Sequence, residues 1–419
     1  MLVMKFGGAS VKHADAVRNV ADIISHHQDK AQLVVISAMD KTTNHLELLA
    51  HLARDGKETE ALEQFERVKR FHRKQISDLF PADQVEAVEA RVTPFFTFIE
   101  RIVNGILLLE EFPPRTYDRI VSCGELLSTT IVSSYLSFKG LDCEWIDARE
   151  VVKTDATWKQ AGVIWTLTEE NVKKQVKPKM KGGRVLVTQG FIGSTTEGHT
   201  TTLGREGSDY TGSIFAHCLE ADSLTVWKDV PGILNGDPRI RQDTVKLDKL
   251  SYEEAVEMTF YGASVIHPKT IKPIFNRQIP LHVKCFLDVE LEGSTIGSET
   301  NSEAITSYIV KKDQVFYQIK PKDFSFMEER LMQEIFDYIY KSGVKVNLVQ
   351  NSAISLMICV DNRKSNNHEF VSLLLDKFEV QVQEDLKLYT MINFSVKNLK
   401  EAADAVMVQQ HGNKLFVVK

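Results

Sequence analysis

Five short stretches of the chain carry residue types that could do chemistry. The densest is TTTLGREGSDYTGS, residues 200–213, with four Thr, two Ser, three Gly and a single Arg205. Small donors, a guanidinium fork and a helix starting just after them suit a backbone that wraps an anionic ligand. The same composition suits an ordinary surface turn, so other residues must decide. Arg205 could fork a carboxylate, and Asp209 could hold a lysine or Mg²⁺ in place.

In KFGGAS, residues 5–10, two glycines after a strand let backbone N–H groups approach a phosphate, with Lys5 in reach of its oxygens. VISAMDKTTN, residues 35–44, ends a strand at Ser37 and then offers Thr42, Thr43 and Asn44, which are also good helix caps. In SCGELLSTTIVSSYL, Glu125 follows a glycine at a helix start, where the helix dipole favours a carboxylate that could bind an ammonium. VWKDVPGILNGDPR, residues 226–239, sets Lys228 and Arg239 on one long connection, a spacing that fits nucleotide phosphates. Each stretch alone also reads as a turn or a first-turn carboxylate.

These stretches sit among alternating elements. LVMKFGG is a strand running into a glycine turn, and HADAVRNVADIISHHQ has Ala14, Val17, Val20, Ala21 and Ile24 at helical spacing. QLVVISAMD, DCEWIDA, RVLVTQGFIG and SLTVWKDVPG read as further strands, and 57 to 111 reads as helix interrupted at Pro81. Alternation of this kind predicts an α/β fold with a mainly parallel sheet whose ligands bind at the carboxyl ends of the strands. After about residue 300 the order becomes β-α-β-β-α-β, the ferredoxin-like sequence, followed by a shorter β-α-β tail. Here FEVQVQ and LKLYTMINFSV read as separate strands. The boundary falls in GSETNSEAI, residues 297–305.

The chain has 419 residues, 43% hydrophobic and 26% charged, with net charge −6. That is globular composition for two or three domains and lacks the basic face of a nucleic-acid binder. The basic run KKQVKPKMKGGR, 173–184, has no interleaved aromatics and reads as a solvated loop. Five dispersed cysteines without a CxxC pair argue against a disulfide framework or zinc site and for a reducing compartment. Cys123 reads as a buried structural thiol. The start MLVMKFGG does not read as a signal peptide, and no apolar run is taken to approach membrane-spanning length, so a cytoplasmic protein without membrane partners is expected.

Together KFGGAS, the loop around Thr43, the Gly124–Glu125–Leu126 stretch, GREGSDYTG, WKDVPGILNGDPR and YGASVIHPKT resemble the aspartate kinases of the amino-acid kinase family, and the resemblance runs from residue 4 to the C-terminus. It implies a three-layer kinase domain over 1–300, with a helical insertion at about 57–118. It implies ACT regulatory modules over 301–419, one full and one abbreviated. It further implies transfer of the ATP γ-phosphoryl group to the side-chain carboxylate of L-aspartate, the entry to lysine, threonine and methionine synthesis, with Mg²⁺ as cofactor. On this resemblance Lys5 and Asp209 are catalytic, and Gly7, Gly8 and Ser10 form the phosphate loop. Ser37, Thr43 and Glu125 hold aspartate together with Arg205, Glu206, Gly207 and Ser208. Lys228, Asp229, Leu234, Arg239, Ser264 and Val265 line the nucleotide site. Asn347, Gln350, Asn351 and Ser352 are effector candidates for lysine or threonine, no protein metal site is expected, and ACT pairing implies a homodimer or higher assembly. Two departures stand out: Glu206 where the family often has Gly, and Ser264 with Lys228 where many members have Lys and Thr. Lys228 is therefore expected to supply the phosphate-side charge that Ser264 cannot. An aspartate β-carboxylate, with an ordinary pKa of about 3.9, is already a nucleophile at neutral pH and needs no general base.

Overall fold

The computed structural model describes all residues except 264, 302–304, 396–399 and 401. The strands in chain order are β1 (Leu2–Phe6), β2 (Gln32–Ile36), β3 (Cys143–Ile146), β4 (Val185–Gln189), β5 (Ile192–Ser194), β6 (Thr200–Thr202), β7 (Ser223–Lys228), β8 (Ile233–Leu234), β9 (Lys246–Leu247), β10 (Lys249–Ser251), β11 (Leu281–Cys285) and β12 (Ser294–Gly297). They continue as β13 (Ser307–Pro321), β14 (Val346–Ser352), β15 (Ser355–Asp361), β16 (Phe378–Ile392), β17 (Met407–His411) and β18 (Lys414–Val418). The chain packs as two compact units, the first built from 1–233, 248–252 and 266–300, the second from 234–247, 253–265 and 301–419.

The first unit holds an eight-stranded sheet in the order β10-β12-β11-β7-β1-β2-β4-β3. From β11 to β3 neighbouring strands are parallel; β12 turns back antiparallel to β11. The central strands are apolar runs because helices cover both faces: every residue of β2 and β4 is buried. One layer contains α1 (Ala14–Ser25), α2 (Thr42–Arg54), α3 (Glu58–Leu79), α4 (Ala82–Leu109), α5 (Pro114–Val121) and α6 (Cys123–Phe138), which share one apolar core with β1 and β2. Helices α3 to α5 form the segment expected at about 57–118. Short α7 (Ala148–Val151) and α8 (Trp165–Asn171) follow, and α9 (Gly207–Leu219) lies against β1. There Gly212 matters, because a Cβ would come within 3.2 Å of Leu224 and 3.5 Å of the Lys5 Cβ.

Three expectations change here. Thr43 and Asn44 lie inside the first turn of α2 rather than capping it: the cap position is Lys41, and it makes no side-chain cap bond. The basic run is helical where α8 widens into a π turn over Val172–Val176 and a 3-10 turn over Lys177–Lys179, with Lys174 paired to Glu170 one turn back. Helix α4 is long and apolar enough, by length and composition, to cross a membrane, contrary to the expectation that no run approaches that length. Seven of its side chains, from Val88 to Ile106, are nevertheless buried, in the core just described.

The second unit includes residues 253–260 of α10 (Tyr252–Phe260), while α11 (Pro268–Phe275) belongs to the first. Its main body is a six-stranded antiparallel sheet, β14-β15-β13-β16-β18-β17, with α12 (Glu329–Ser342) and α13 (Lys364–Leu374). The β13-α12-β14-β15-α13-β16 order is the expected ferredoxin-like one. FEVQVQ and LKLYTMI form one strand, β16, not two. No turn separates them: Asp385, at φ 58, and Asp313, at φ 55, lie where the β13–β16 register shifts at bulges, so the ladder bends and continues. The helix expected in 398–407 falls partly outside the described residues.

Candidate active site

Strands β1, β2, β4 and β7 end side by side, and the loops after β1, β2 and β4 line one cavity of about 690 Å³; Lys228, at the end of β7, is not part of that lining. After β1 the chain turns at Gly7–Gly8. A Cβ on Gly8 would stand 2.8 Å from the carbonyl oxygens of Ala38 and Asp40, so only glycine lets the two strand-end loops touch. Lys5, Gly7, Gly8, Ser37, Thr43 and Glu125 all line this cavity. So do Arg205, Glu206, Gly207 and Ser208 from the opposite loop. Ser10 is buried just outside the lining, and its hydroxyl has no hydrogen-bond partner among the described residues.

Asp209 is the electrostatic centre. It is fully buried in the first turn of α9, 2.5 Å from Lys5 Nζ and 3.0 Å from Lys228 Nζ. Burial alone would raise its carboxyl, but the two ammonium groups outweigh that and hold it below the ordinary range. One carboxylate thus orients two cations and neutralises only one of them.

Glu125 has the opposite environment. It sits in the first turn of α6, 3% exposed; Oε1 accepts a 3.3 Å bond from the Ala38 N–H and Oε2 has no partner. Burial pushes its pKa up to about 8, against the weaker pull of the Ala38 N–H and of Lys5. A buried carboxyl oxygen left unpaired in a cavity fits an incoming ammonium. Its neighbour Cys123 is buried and pushed up to about 12 by desolvation, as suits a structural thiol.

Glu206 takes the N-cap position of α9 at φ 55, the left-handed region that glycine adopts without cost, and its side chain is exposed. The departure from glycine therefore strains the backbone without filling the floor of the site. Among the described residues twelve non-glycine residues have positive φ, and four of them, Asp40, Lys159, Phe191 and Glu206, line this cavity. Such clustering is characteristic of functional sites. Gly190, directly after β4, abuts Ser208 so closely that a Cβ would be 2.5 Å from the serine Cβ.

Other nucleotide-site candidates are not gathered here. Asp229 is exposed beyond β7 and is not part of the cavity lining. Leu234, Arg239 and Val265 belong to the second unit, where the Arg239 guanidinium makes a bidentate pair with Asp237 at 2.9 and 2.7 Å. Ser264 lies outside the described residues. Of the effector candidates, Asn347 is buried and engaged by its own sheet, accepting from Lys311 Nζ at 2.8 Å and donating to Gln314 and Asp361. Gln350 and Asn351 are exposed, and Ser352 bonds Ser355.

Sequence reasoning missed Tyr117, Asp118, Lys159 and Gln160. Tyr117, Lys159 and Gln160 line the cavity, and Asp118 braces it from beneath, accepting from the N–H of Lys159 and from Thr202.

The amino acid kinase family profile matches residues 1–285, more than half of the chain. The lysine-sensitive aspartokinase 3 of Escherichia coli is 30% identical over 94% of this chain and 87% of its own length. The chain belongs to the amino acid kinase family, among its aspartokinases. Two solved structures agree in fold with this aspartokinase. Escherichia coli aspartokinase III in complex with aspartate and ADP superposes with a TM-score of 0.86 at 26% identity, over 100% of this chain and 96% of that one. The same enzyme in complex with lysine and aspartate gives 0.81 over the same shares, also at 26% identity.

Proposed function

We propose that this aspartokinase transfers the γ-phosphoryl group of ATP to the β-carboxylate of L-aspartate, forming 4-phospho-L-aspartate, the first step towards lysine, threonine and methionine. The observation that carries the reading is the pairing of two buried carboxyls with opposite tasks: Asp209 charged between Lys5 and Lys228, and Glu125 with one oxygen left unpaired in the cavity.

The acceptor is an anion approaching a polyanion, so the work of the site is positioning and charge compensation. Glu125 would take the acceptor's ammonium, and Arg205 would fork its α-carboxylate. Ser37, Thr43 and Ser208 offer neutral donors around it. The Gly7–Gly8 turn and the start of α9 present backbone to phosphate oxygens, and Lys5, held by Asp209, stands where charge builds on the transferring group. Lys228 adds the second cation. Magnesium bound on the nucleotide phosphates would neutralise further charge. An ion of this kind is commonly held by one or two carboxylates together with phosphate and water.

The ferredoxin-like unit supports feedback control, and lysine is the first effector to test, since the Escherichia coli relative is named lysine-sensitive. We also expect a homodimer or larger assembly, using the exposed edges β14 and β17. The five cysteines are free thiols, in keeping with a cytoplasmic setting. The test is ADP release from Mg-ATP with L-aspartate, L-glutamate, acetylglutamate, carbamate and UMP, with hydroxylamine to trap an acyl phosphate and lysine or threonine added in parallel. Hydroxamate formed with L-aspartate alone is the expected result; turnover with another acceptor, or none, would refute the assignment.

A further inference from the structure

Lys159 belongs to none of the motifs, yet it lines the cavity in an unusual setting. Its backbone is at φ 69, a conformation costly for a long side chain. Helix α5 holds it from two successive positions. The Asp118 carboxylate accepts the Lys159 N–H through both oxygens at 3.1 Å, and the Tyr117 ring lies under the ammonium, 4.2 Å from Nζ to the centroid. The same Asp118 accepts from the N–H and hydroxyl of Thr202 at 3.0 and 2.8 Å. Thr202 ends β6, which leads directly into the Arg205–Ser208 loop. The two loops also touch: a Cβ on Gly204 would lie 3.1 Å from the Lys159 carbonyl oxygen and 3.0 Å from Gln160 Cγ. One buried carboxylate therefore sets the position of both the Lys159 turn and the loop that carries Arg205.

Among the described residues Lys159 forms no ion pair, although its charge acts on the Asp118 carboxyl, and its side chain is exposed at the cavity. A strained, twice-braced cation whose ammonium is in no ion pair, lining the same cavity as Lys5 and next to the loop of a second cation, is built to meet an anion. We propose that Lys159 is a specificity-determining residue that binds, with Arg205, the non-reacting carboxylate of the acceptor. The proposal rests on the aspartate reading above. The ammonium waits on the Tyr117 face and moves to the carboxylate when the acceptor enters, so the site selects dicarboxylic amino acids with a free α-carboxylate.

The test compares L-aspartate with its α-amide, which keeps the reacting β-carboxylate. In Lys159→Met, kcat/KM for L-aspartate should fall about 10- to 100-fold, mainly through KM, as expected for a lost charge-assisted hydrogen bond. The α-amide should change less than about threefold, so the preference for the free acid collapses, while KM for ATP stays the same. Lys159→Arg should keep the preference. Lys159→Gly relaxes the positive φ while removing the charge and should show the same collapse, so that loss through misfolding is separated from loss of the contact. Equal loss for both acceptors, or an unchanged ratio, in variants of normal thermal stability would overturn the proposal alone. A wild-type protein that forms no hydroxamate with L-aspartate would overturn the aspartate reading, and the proposal with it.

Discussion

Replacing Glu125 with glutamine should abolish a pH dependence of acceptor binding that the buried site creates. With a pKa of about 8 in the empty cavity, Glu125 is mostly protonated at neutral pH. An acceptor ammonium prefers the carboxylate, so binding must expel that proton. The apparent dissociation constant then scales as one plus the ratio of protonated to ionised Glu125. Between pH 6 and pH 8 this factor falls about 50-fold, or about 2.3 kcal/mol, and near pH 7 each binding event releases about 0.9 proton. The sign is fixed by the raised value: affinity improves as pH rises towards 8 and levels off above it. The assay is calorimetric titration of L-aspartate into the ADP-bound protein, in two buffers of different ionisation enthalpy. Wild type should show buffer-dependent heats at pH 7. Glu125→Gln should show none and bind with nearly constant affinity across the range, so the gap between the two proteins is small at pH 6 and about 50-fold at pH 8. Wild-type binding that is independent of pH and buffer would mean that Glu125 is already ionised, or that it does not meet the ammonium, and would refute the reasoning.

Lys228→Ala should raise KM for ATP and lower kcat by about 100-fold or more, since it removes one of two cations fixed by Asp209; unchanged ATP affinity and turnover would sink the compensation assigned to Lys228. Gly190→Ala would place a Cβ 2.5 Å from that of Ser208, so steady-state kinetics should show KM for L-aspartate rising about tenfold or more as the first turn of α9 is displaced. His72 is fully buried, with Nε2 unpaired, and desolvation lowers its pKa from 6.5 to about 4 against the pull of the Val68 carbonyl. The unfolded chain takes up a proton below pH 6.5 that the folded chain refuses until about pH 4, so stability should fall across that window by up to about 3 kcal/mol. Denaturant melts of His72→Leu should lack that component. Asn347→Ala should cost about 1–3 kcal/mol in the same kind of melt, because Lys311, Gln314 and Asp361 lose a shared partner; an unaltered midpoint would return Asn347 to the list of free effector donors.

The fold was legible where burial dictates residue type. VVI and VLV runs announce central parallel strands because nothing else survives between two helical layers. The site motifs were legible only as a set, because each glycine turn or first-turn carboxylate alone also reads as ordinary structure. Tyr117 and Asp118 were not, since PRTYDRIV reads as an ordinary amphipathic helix. Only the folded chain brings Thr202, 84 residues away, onto Asp118. Lys159 was hidden because no glycine marks its positive φ. Asn347 was misleading for a related reason: a polar residue on a strand looks free until Gln314 and Lys311 arrive from β13, two strands away across β15. The continuous β16 escaped because Glu384–Asp385 looks like a turn in sequence, and only pairing with β13 makes it a bulge.

The contrast between Asp209 and Glu125 also bears on how the empty site avoids quenching itself. Both carboxyls are buried at the rim of one sheet, and Lys5 acts electrostatically on each. Two anions there would compete for that lysine and cancel the positive field a nucleotide needs. Desolvation resolves the conflict differently at each position. Asp209 has two ammonium groups in contact, so ionisation is favoured despite burial. Glu125 has only backbone N–H groups and the weaker pull of Lys5 against its burial, so it stays neutral. Lys5 is thereby committed to Asp209 and to phosphate before any acceptor arrives. The second anion forms only when an ammonium enters to balance it. On this view the proton on Glu125 is what lets a site for two anionic substrates remain positive while empty.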